Sequence, residues 1–309
     1  MMNSSRYVFI FNPAADKGRA SRWTEWLEAL VSGREDSVLL TTKCAGHAEE
    51  IARAALSDNR CMIACGGDGT LHEVINAIAG EGTTVGVFPI GSANDFEKTL
   101  HPYAGQKSDI SYVFNTGSRD VDLGSVAFGQ ADQRYFINSL GIGFTGRVAK
   151  AVKSTPWLKG ELGYVHALFS VLRGYTPLKM HITITLQDSV MVLHEPVFAF
   201  SVSNGKIEGG KFRIAPHADL SDGLLDVCIL KAVSKYEFFR YVFKYLNGTH
   251  ISDPKVIYCK AKAVDVTLAA PDVMHMDGEV YDNMSGRIAI SVVPQGIRML
   301  CSLLKSAES

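Results

Sequence analysis

Cys61-Met62-Ile63-Ala64-Cys65-Gly66-Gly67-Asp68-Gly69-Thr70-Leu71-His72-Glu73-Val74-Ile75-Asn76-Ala77-Ile78 reads as a buried strand, a glycine turn and an amphipathic helix in direct succession. Cys61–Cys65 is a short continuous apolar run, and Leu71, Val74, Ile75 and Ile78 recur at helical spacing. A strand-turn-helix order places the turn at the carboxyl end of a strand, where open α/β sheets bind their ligands. Glycines let the backbone approach an anion closely, and a helix N-terminus offers unpaired N–H groups and a favourable dipole. Thr70 suits a helix cap or a hydroxyl donor. Asp68 is out of place against phosphates unless a cation lies between them, so it implies Mg²⁺. Taken alone, the run is equally well a tight strand-to-helix turn.

The flanks repeat the pattern. Tyr7–Phe11, Ser37–Thr41 and Thr84–Phe88 are further short apolar runs. Helical stripes separate them: Trp23, Trp26, Leu27 and Leu30, then Ala48, Ile51, Ala52, Ala55 and Leu56. Such alternation predicts a parallel sheet with crossover helices. The texture changes near Arg119. His181–Leu186, Val197–Val202, Leu224–Leu230, Val264–Leu268 and Ile288–Val293 read as strands. A helix is predicted over Arg147–Leu172, and another from Ser234, whose Glu237 completes a capping box. Ile297, Leu300, Cys301 and Leu304 predict a final helix returning to the first domain. The fold class is therefore α/β plus β. An α/β domain spans 1–122, completed by a C-terminal helix over 294–309, and a mostly antiparallel β domain spans 123–293.

Composition narrows the function. The chain has 309 residues, 47% hydrophobic and 20% charged, which fits a globular protein of about two domains. Lys and Arg number 31 against 32 Asp and Glu, so no polycationic footprint points to nucleic acid. The six cysteines form no C-x-x-C and no zinc-type cluster, and are expected to be reduced core thiols. Tyr7–Phe11 is too short for a signal-peptide core, and no run reaches the roughly 18 apolar residues of a spanning helix. A cytoplasmic protein that meets a membrane only from its surface is expected. G-x-x-x-x-G-K-[ST] is absent. Gly141-Ile142-Gly143-Phe144-Thr145-Gly146 matches G-x-G-x-x-G but lies in the β-rich half, so close backbone packing explains it better than a dinucleotide.

Two further loops follow neighbouring strands: Asn12-Pro13 with Gly18, and Pro89-Ile90-Gly91-Ser92-Ala93-Asn94-Asp95-Phe96. Three such loops after successive parallel strands converge on one sheet edge, which favours the ligand reading over three unrelated turns. Asn94-Asp95 also suits a helix N-cap. Asp120-Val121-Asp122 stands at the domain boundary. Asp219-Leu220-Ser221-Asp222-Gly223-Leu224 could hold a cation through carboxylate and carbonyl oxygens, but by itself it reads better as an ordinary Asp-Gly turn. Asp277-Gly278-Glu279 offers a general base for an alcohol, or again a turn.

In that order, these segments resemble the diacylglycerol kinase catalytic-domain superfamily, most of all its bacterial lipid kinase branch, over about Arg6 to Leu304. The resemblance implies a Rossmann-like nucleotide-binding domain like that of NAD kinases, a C-terminal β-sandwich lipid-substrate domain, and ATP-dependent phosphorylation of a lipid hydroxyl. It implies nucleotide contacts from Asn12, Pro13, Thr42, Gly66, the run Gly67, Asp68, Gly69, Thr70, Leu71, His72 and Glu73, and from Ser92 and Asn94. Asp68, Asp95 and Asp122 match an acidic trio for catalytic Mg²⁺, partly through water. Asp219, Asp222 and Leu224 match a second, structural Mg²⁺ site. Glu279 matches the general base, with Asp277 beside it. His72 stands where Asn is common, and Asp16 and Lys17 where smaller residues are.

Two alternatives share the glycine signature: a kinase of a soluble substrate such as NAD, and a non-catalytic nucleotide-binding regulator. The Asn12-Pro13 loop and the Asp222-Gly223 turn favour the lipid branch, and a pure binder has no need of Glu279. Over Arg147–Arg173, Lys150, Lys153, Lys159 and Arg173 accompany Val152, Trp157, Leu158, Leu162, Tyr164, Leu168 and Phe169. That segment is either a peripheral membrane contact or a helix with a solvated charged face.

Overall fold

The computed structural model describes residues 6–56, 60–101, 112–115, 117–129, 133–155 and 160–301. In chain order the elements are β1 (Tyr7–Phe11), α1 (Thr24–Ser32), β2 (Ser37–Thr41), α2 (His47–Ala54), β3 (Cys61–Gly66), α3 (Asp68–Ile78), β4 (Thr84–Pro89), α4 (Asp95–Leu100) and α5 (Tyr112–Asn115). Then come β5 (Gly117–Phe128), β6 (Arg134–Phe136), β7 (Ser139–Gly143), α6 (Phe144–Ser154), α7 (Gly160–Gly174), β8 (Leu178–Thr185), β9 (Val190–Leu193) and β10 (Pro196–Ser203). β11 (Leu225–Lys231), α8 (Lys235–Asn247), β12 (Val256–Ala261), β13 (Ala263–Met276) and β14 (Glu279–Cys301) complete the series. Two compact units result: Met1–Val121 with Gln295–Ser309, and Asp122–Pro294.

In the first unit β1 lies between β2 and β3, and β4 flanks β3, all parallel. Apolar β1 and β3 are buried along their whole length because helices cover both faces of a parallel sheet. Phe9, Phe11, Ile63, Cys65 and Phe88 pack there with Leu27 of α1. The end of β14 adds a further parallel strand, Arg298 and Met299 facing Thr84 and Val85 of β4. This corrects the expected C-terminal helix. Ile297, Met299, Leu300 and Cys301 are buried and Arg298 is exposed, and β4 supplies the pairing edge that turns the segment into a strand. Leu304 lies outside the described residues.

In the second unit the strand pairings are antiparallel. One apolar cluster takes Leu140, Ile142, Phe200, Val202, Val227, Met274 and Met276. The other takes Phe144, Phe198, Cys228, Leu230, Phe238 and Tyr241, under α6, α7 and α8. A register shift between Val197 and Ala199 lets β10 serve both. The helix expected over Arg147–Leu172 is two helices, α6 and α7; Trp157, Leu158 and Lys159 lie outside the described residues, as does the side chain of Leu162. α8 starts at the expected capping box, Ser234 Oγ accepting from the Glu237 N–H and Glu237 accepting from the Ser234 N–H. Gly146 packs so closely that a Cβ would stand 2.2 Å from the Val273 carbonyl oxygen, so this glycine serves packing. Cys61, Cys65, Cys228 and Cys301 are buried, whereas Cys259 is half-buried and Cys44 exposed, against the expectation of core thiols throughout. Burial pushes the thiols of Cys61 and Cys228 up to about 12, which keeps them protonated and inert.

Candidate active site

The carboxyl ends of β1, β2, β3 and β4 carry Asn12, Thr42, the Gly66–Thr70 turn and the 89–96 loop on one edge of the parallel sheet. Side chains lock these loops together. Asn12 Nδ2 donates to Thr70 Oγ1 at 3.0 Å, and the Asn12 N–H donates to the Cys65 carbonyl. Asp68 Oδ1 accepts the N–H groups of Asp95 (2.7 Å) and Phe96 (3.3 Å), holding the start of α4 against the start of α3. Asn94 sits in the left-handed region (φ 52°). Its Oδ1 accepts from the Gly91 N–H and its Nδ2 donates to the Pro89 and Gly91 carbonyls. Ser92 Oγ donates to Asp16 Oδ1 at 2.7 Å, tying the fourth loop to the first. Burial raises the Asp16 carboxyl, but hydrogen bonds from Arg19 and Ser92 outweigh it and hold the group below its ordinary value. Asp16, a departure from the resemblance, thus bridges two loops.

The closest approach is backbone to backbone. A Cβ on Gly91 would stand 2.3 Å from Gly67 Cα and 3.0 Å from Gly67 N. No side-chain rotation relieves that clash. Gly91→Ala is expected to cost about 1–3 kcal/mol. It should lower Tm by about 2–4 °C for each kcal/mol. An unchanged Tm would show that the two loops do not need this contact.

Other expected nucleotide contacts point elsewhere. Both Glu73 oxygens accept backbone N–H groups of Gly46 (2.8 Å) and Ala48 (3.0 Å), so Glu73 neutralises the N-terminus of α2. Buried His72 lies 3.3 Å from Asn76 Nδ2 one turn along the helix, and Leu71 is buried. Thr42 is buried, its N–H donating to the Phe11 carbonyl at 2.8 Å.

In the second unit, Asp122 is buried and its Oδ2 accepts the Gly223 N–H at 2.7 Å. Asp277 (φ 50°) is buried too. Its carboxylate accepts the N–H groups of Ile137 (3.1 Å), Asn138 (2.8 Å) and Ser139 (3.1 Å), clamping the start of β7. Glu279 is half-buried and ion-paired with Lys153 of α6 at 2.5 Å. Lys153 is the partner that sequence reading missed, because 126 residues separate the two. Buried His275 stands 3.3 Å from half-buried Glu208, a pair missed for the same reason. Burial raises the Glu208 carboxyl, but the adjacent His275 imidazole outweighs this and lowers it.

Among the described residues, no three His, Cys, Asp or Glu side chains gather as a metal-binding group. Asp68 and Asp95 still suit Mg²⁺, which takes one or two carboxylates and completes its shell with phosphate oxygens and water. The expected second site calls on the Asp219 and Leu224 backbone carbonyls and the Asp222 carboxylate. Asp219 Oδ1 accepts from Ser221, and Asp222 Oδ1 accepts the Leu224 N–H. Lys260 Nζ stands 2.6 Å from Asp222 and 3.1 Å from Asp226, so an ammonium already supplies the positive charge at that turn.

Residues 6–126 match the family model described as "Diacylglycerol kinase catalytic domain". Residues 138–301 match "YegS C-terminal NAD kinase beta sandwich-like domain". The diacylglycerol kinase of Bacillus subtilis (strain 168) is 34% identical over 263 residues, 82% of each chain. That of Staphylococcus saprophyticus subsp. saprophyticus is 29% identical over 289 residues, 91% of each. A crystal structure of a diacylglycerol kinase from Bacillus anthracis str. Sterne covers 97% of each chain with TM-score 0.69 at 21% identity, and shares the fold. An α/β unit with a glycine-loop edge, followed by a mostly β unit and matched along this length, is a kinase. The chain belongs to the diacylglycerol kinase catalytic-domain superfamily, in its bacterial branch.

Proposed function

We propose that the chain transfers the γ-phosphoryl group of ATP to a hydroxyl of a lipid, diacylglycerol or a related lipid alcohol, with Mg²⁺. The observation that carries this reading is the mutual locking of the loops after β1, β3 and β4, with Asp68 joined to the N-terminus of α4. The N–H groups at the start of α3 and the Asn12 loop bind and align the phosphates. Asp68 and Asp95 would supply carboxylates for Mg²⁺, which when bound would neutralise charge on the phosphoryl oxygens. Glu279 takes the proton of the acceptor hydroxyl. Asp277 positions rather than reacts, its oxygens being turned to the backbone of residues 137–139. The second unit is the lipid-substrate domain in this reading, supported by relatives that carry the name diacylglycerol kinase at 29–34% identity.

Incubation with labelled ATP, Mg²⁺ and a panel of extracted lipids should label a lipid product, and removal of Mg²⁺ should stop it. Label in NAD instead, or none in any lipid, would overturn the acceptor class.

A further inference from the structure

One face of the sheet in the second unit is both buried and polar. Ser203 of β10 stands opposite Ser139 of β7, and His275 of β13 opposite Gly141, so these four positions share one side of the sheet. Leu140, Ile142, Val202, Met274 and Met276 take the other side, inside an apolar cluster. Gly141 leaves room for the imidazole, since a Cβ there would stand 2.5 Å from His275 Nε2. The segment after β10 is tied to this face. The Asn138 carbonyl accepts the N–H groups of Asn204 and Gly205, and Asn138 Nδ2 donates to the Ile207 carbonyl. Glu208 Oε1 then stands 3.3 Å from His275 Nε2. Asn138, Ser203, Asn204 and His275 are each no more than 2% exposed.

Burial there leaves a specific deficit. Asn138 Oδ1, Ser203 Oγ, Asn204 Oδ1 and Glu208 Oε2 have no hydrogen-bond partner among the described residues. Buried polar atoms are as a rule paired, because an unpaired one forfeits its hydration for nothing. Both amides are oriented by what their Nδ2 groups donate to: the Ile207 carbonyl for Asn138, and the Asp122 and Ile137 carbonyls for Asn204. Their Oδ1 atoms, like the Glu208 carboxylate, can only accept. The group these atoms call for is therefore a donor. An ester or phosphate oxygen, itself an acceptor, has nothing to offer them.

We propose that Asn138, Ser203, Asn204 and Glu208 form a subsite for a hydrogen-bond donor carried by the lipid acceptor beside the hydroxyl that is phosphorylated. The chain then prefers a lipid with a free hydroxyl or an ammonium at that place to one whose neighbouring oxygens are esterified. His275 is a positioning residue: it holds Glu208 by Oε1 and leaves Oε2 to the ligand. The subsite belongs to the framework that carries the base. His275 precedes Asp277 by two residues and Glu279 by four, and Asp277 accepts the N–H groups of Ile137, Asn138 and Ser139. Glu208 is half-buried, so the cluster meets solvent at the one member that bears a charge. The inference deepens the lipid-acceptor reading and rests on it for the identity of the ligand, though not for its measurement.

Three eight-carbon probes test the subsite on the full chain: dioctanoylglycerol, which has no second donor, monooctanoylglycerol, which adds a hydroxyl, and an octyl-chain aminodiol, which adds an ammonium. In detergent micelles with ATP and Mg²⁺, kcat/KM for the better donor-bearing probe should exceed that for dioctanoylglycerol at least about tenfold, the effect of one hydrogen bond to a charged acceptor. Equilibrium titration without ATP should rank the Kd values in the same order. Glu208→Gln, checked by Tm, should bring the kcat/KM ratio towards one. A larger loss for the aminodiol than for monooctanoylglycerol assigns an ammonium to the subsite, and equal losses assign a hydroxyl. Equal kcat/KM and equal Kd for the three probes, or a ratio that Glu208→Gln leaves unchanged, would overturn the subsite. If that variant does not fold, the wild-type comparison decides alone. Preferential binding of a donor-bearing probe with no label in any lipid would overturn the acceptor reading and leave the subsite standing. Label in all three probes without preference would do the reverse.

Discussion

Glu279→Gln is expected to lower kcat by about 10²–10⁴-fold, the ordinary contribution of a positioned general base, while ATP affinity stays within about twofold of wild type. The amide keeps the size and the hydrogen-bonding reach of the carboxylate but cannot take up a proton. Two acids compete for the role, and their surroundings separate them. Asp277 is buried with three backbone N–H groups aimed at its oxygens, so protonating it means breaking bonds that hold the start of β7. Glu279 is two residues on, half-buried, and its partner is the flexible ammonium of Lys153. A lysine on a four-carbon stem can swing away from the carboxylate as substrate arrives; a backbone clamp cannot. Steady-state kinetics with ATP and lipid varied separately check the prediction. If Glu279→Gln chiefly raised KM for ATP and left kcat near wild type, the base would have to be sought elsewhere.

What was legible in the sequence follows from the range of the interactions involved. The Cys61–Cys65 run, the glycine turn and the stripe after it are set by residues within a few positions of one another, and β3 and α3 appear where the pattern puts them. The capping box at Ser234 is equally local. The end of the chain was misread because Ile297, Leu300 and Cys301 fit a helical repeat while Ile297, Met299 and Cys301 fit a strand. The choice was made by β4, more than two hundred residues earlier, and no local signal carries it. Glu73 shows the same limit within the site. Its place beside the glycine turn suggests a nucleotide contact, but the helix points it at the orphan N–H groups of α2. Lys153 and Lys150 read as a free basic face until their acids on β14 are known. The sequence thus displays which chemistry is available; the tertiary pairing decides which groups are already spoken for.

Asp68 is where that distinction has its largest consequence. Its Oδ1 accepts two N–H groups at the start of α4, so Asp68→Ala removes a loop clamp as well as a charge, and loss of activity in that variant has two explanations. Asp68→Asn separates them. The amide oxygen can accept the same N–H groups from Asp95 and Phe96, so the loop after β4 should stay in place and Tm should fall by no more than a few degrees, roughly the effect of about 1 kcal/mol. The negative charge is gone, and with it one of the hard oxygen donors that suit Mg²⁺. Each 1.4 kcal/mol of lost transition-state stabilisation is about tenfold in rate, and a divalent ion contributes several kcal/mol to phosphoryl transfer, so kcat should fall by about 10²–10³-fold. The Mg²⁺ concentration for half-maximal residual activity should rise in the same variant, which a purely structural role for Asp68 would not produce. Near-wild-type turnover and an unchanged Mg²⁺ requirement in Asp68→Asn would mean that this carboxylate only ties the loops together, and the charge at the glycine edge would need another account.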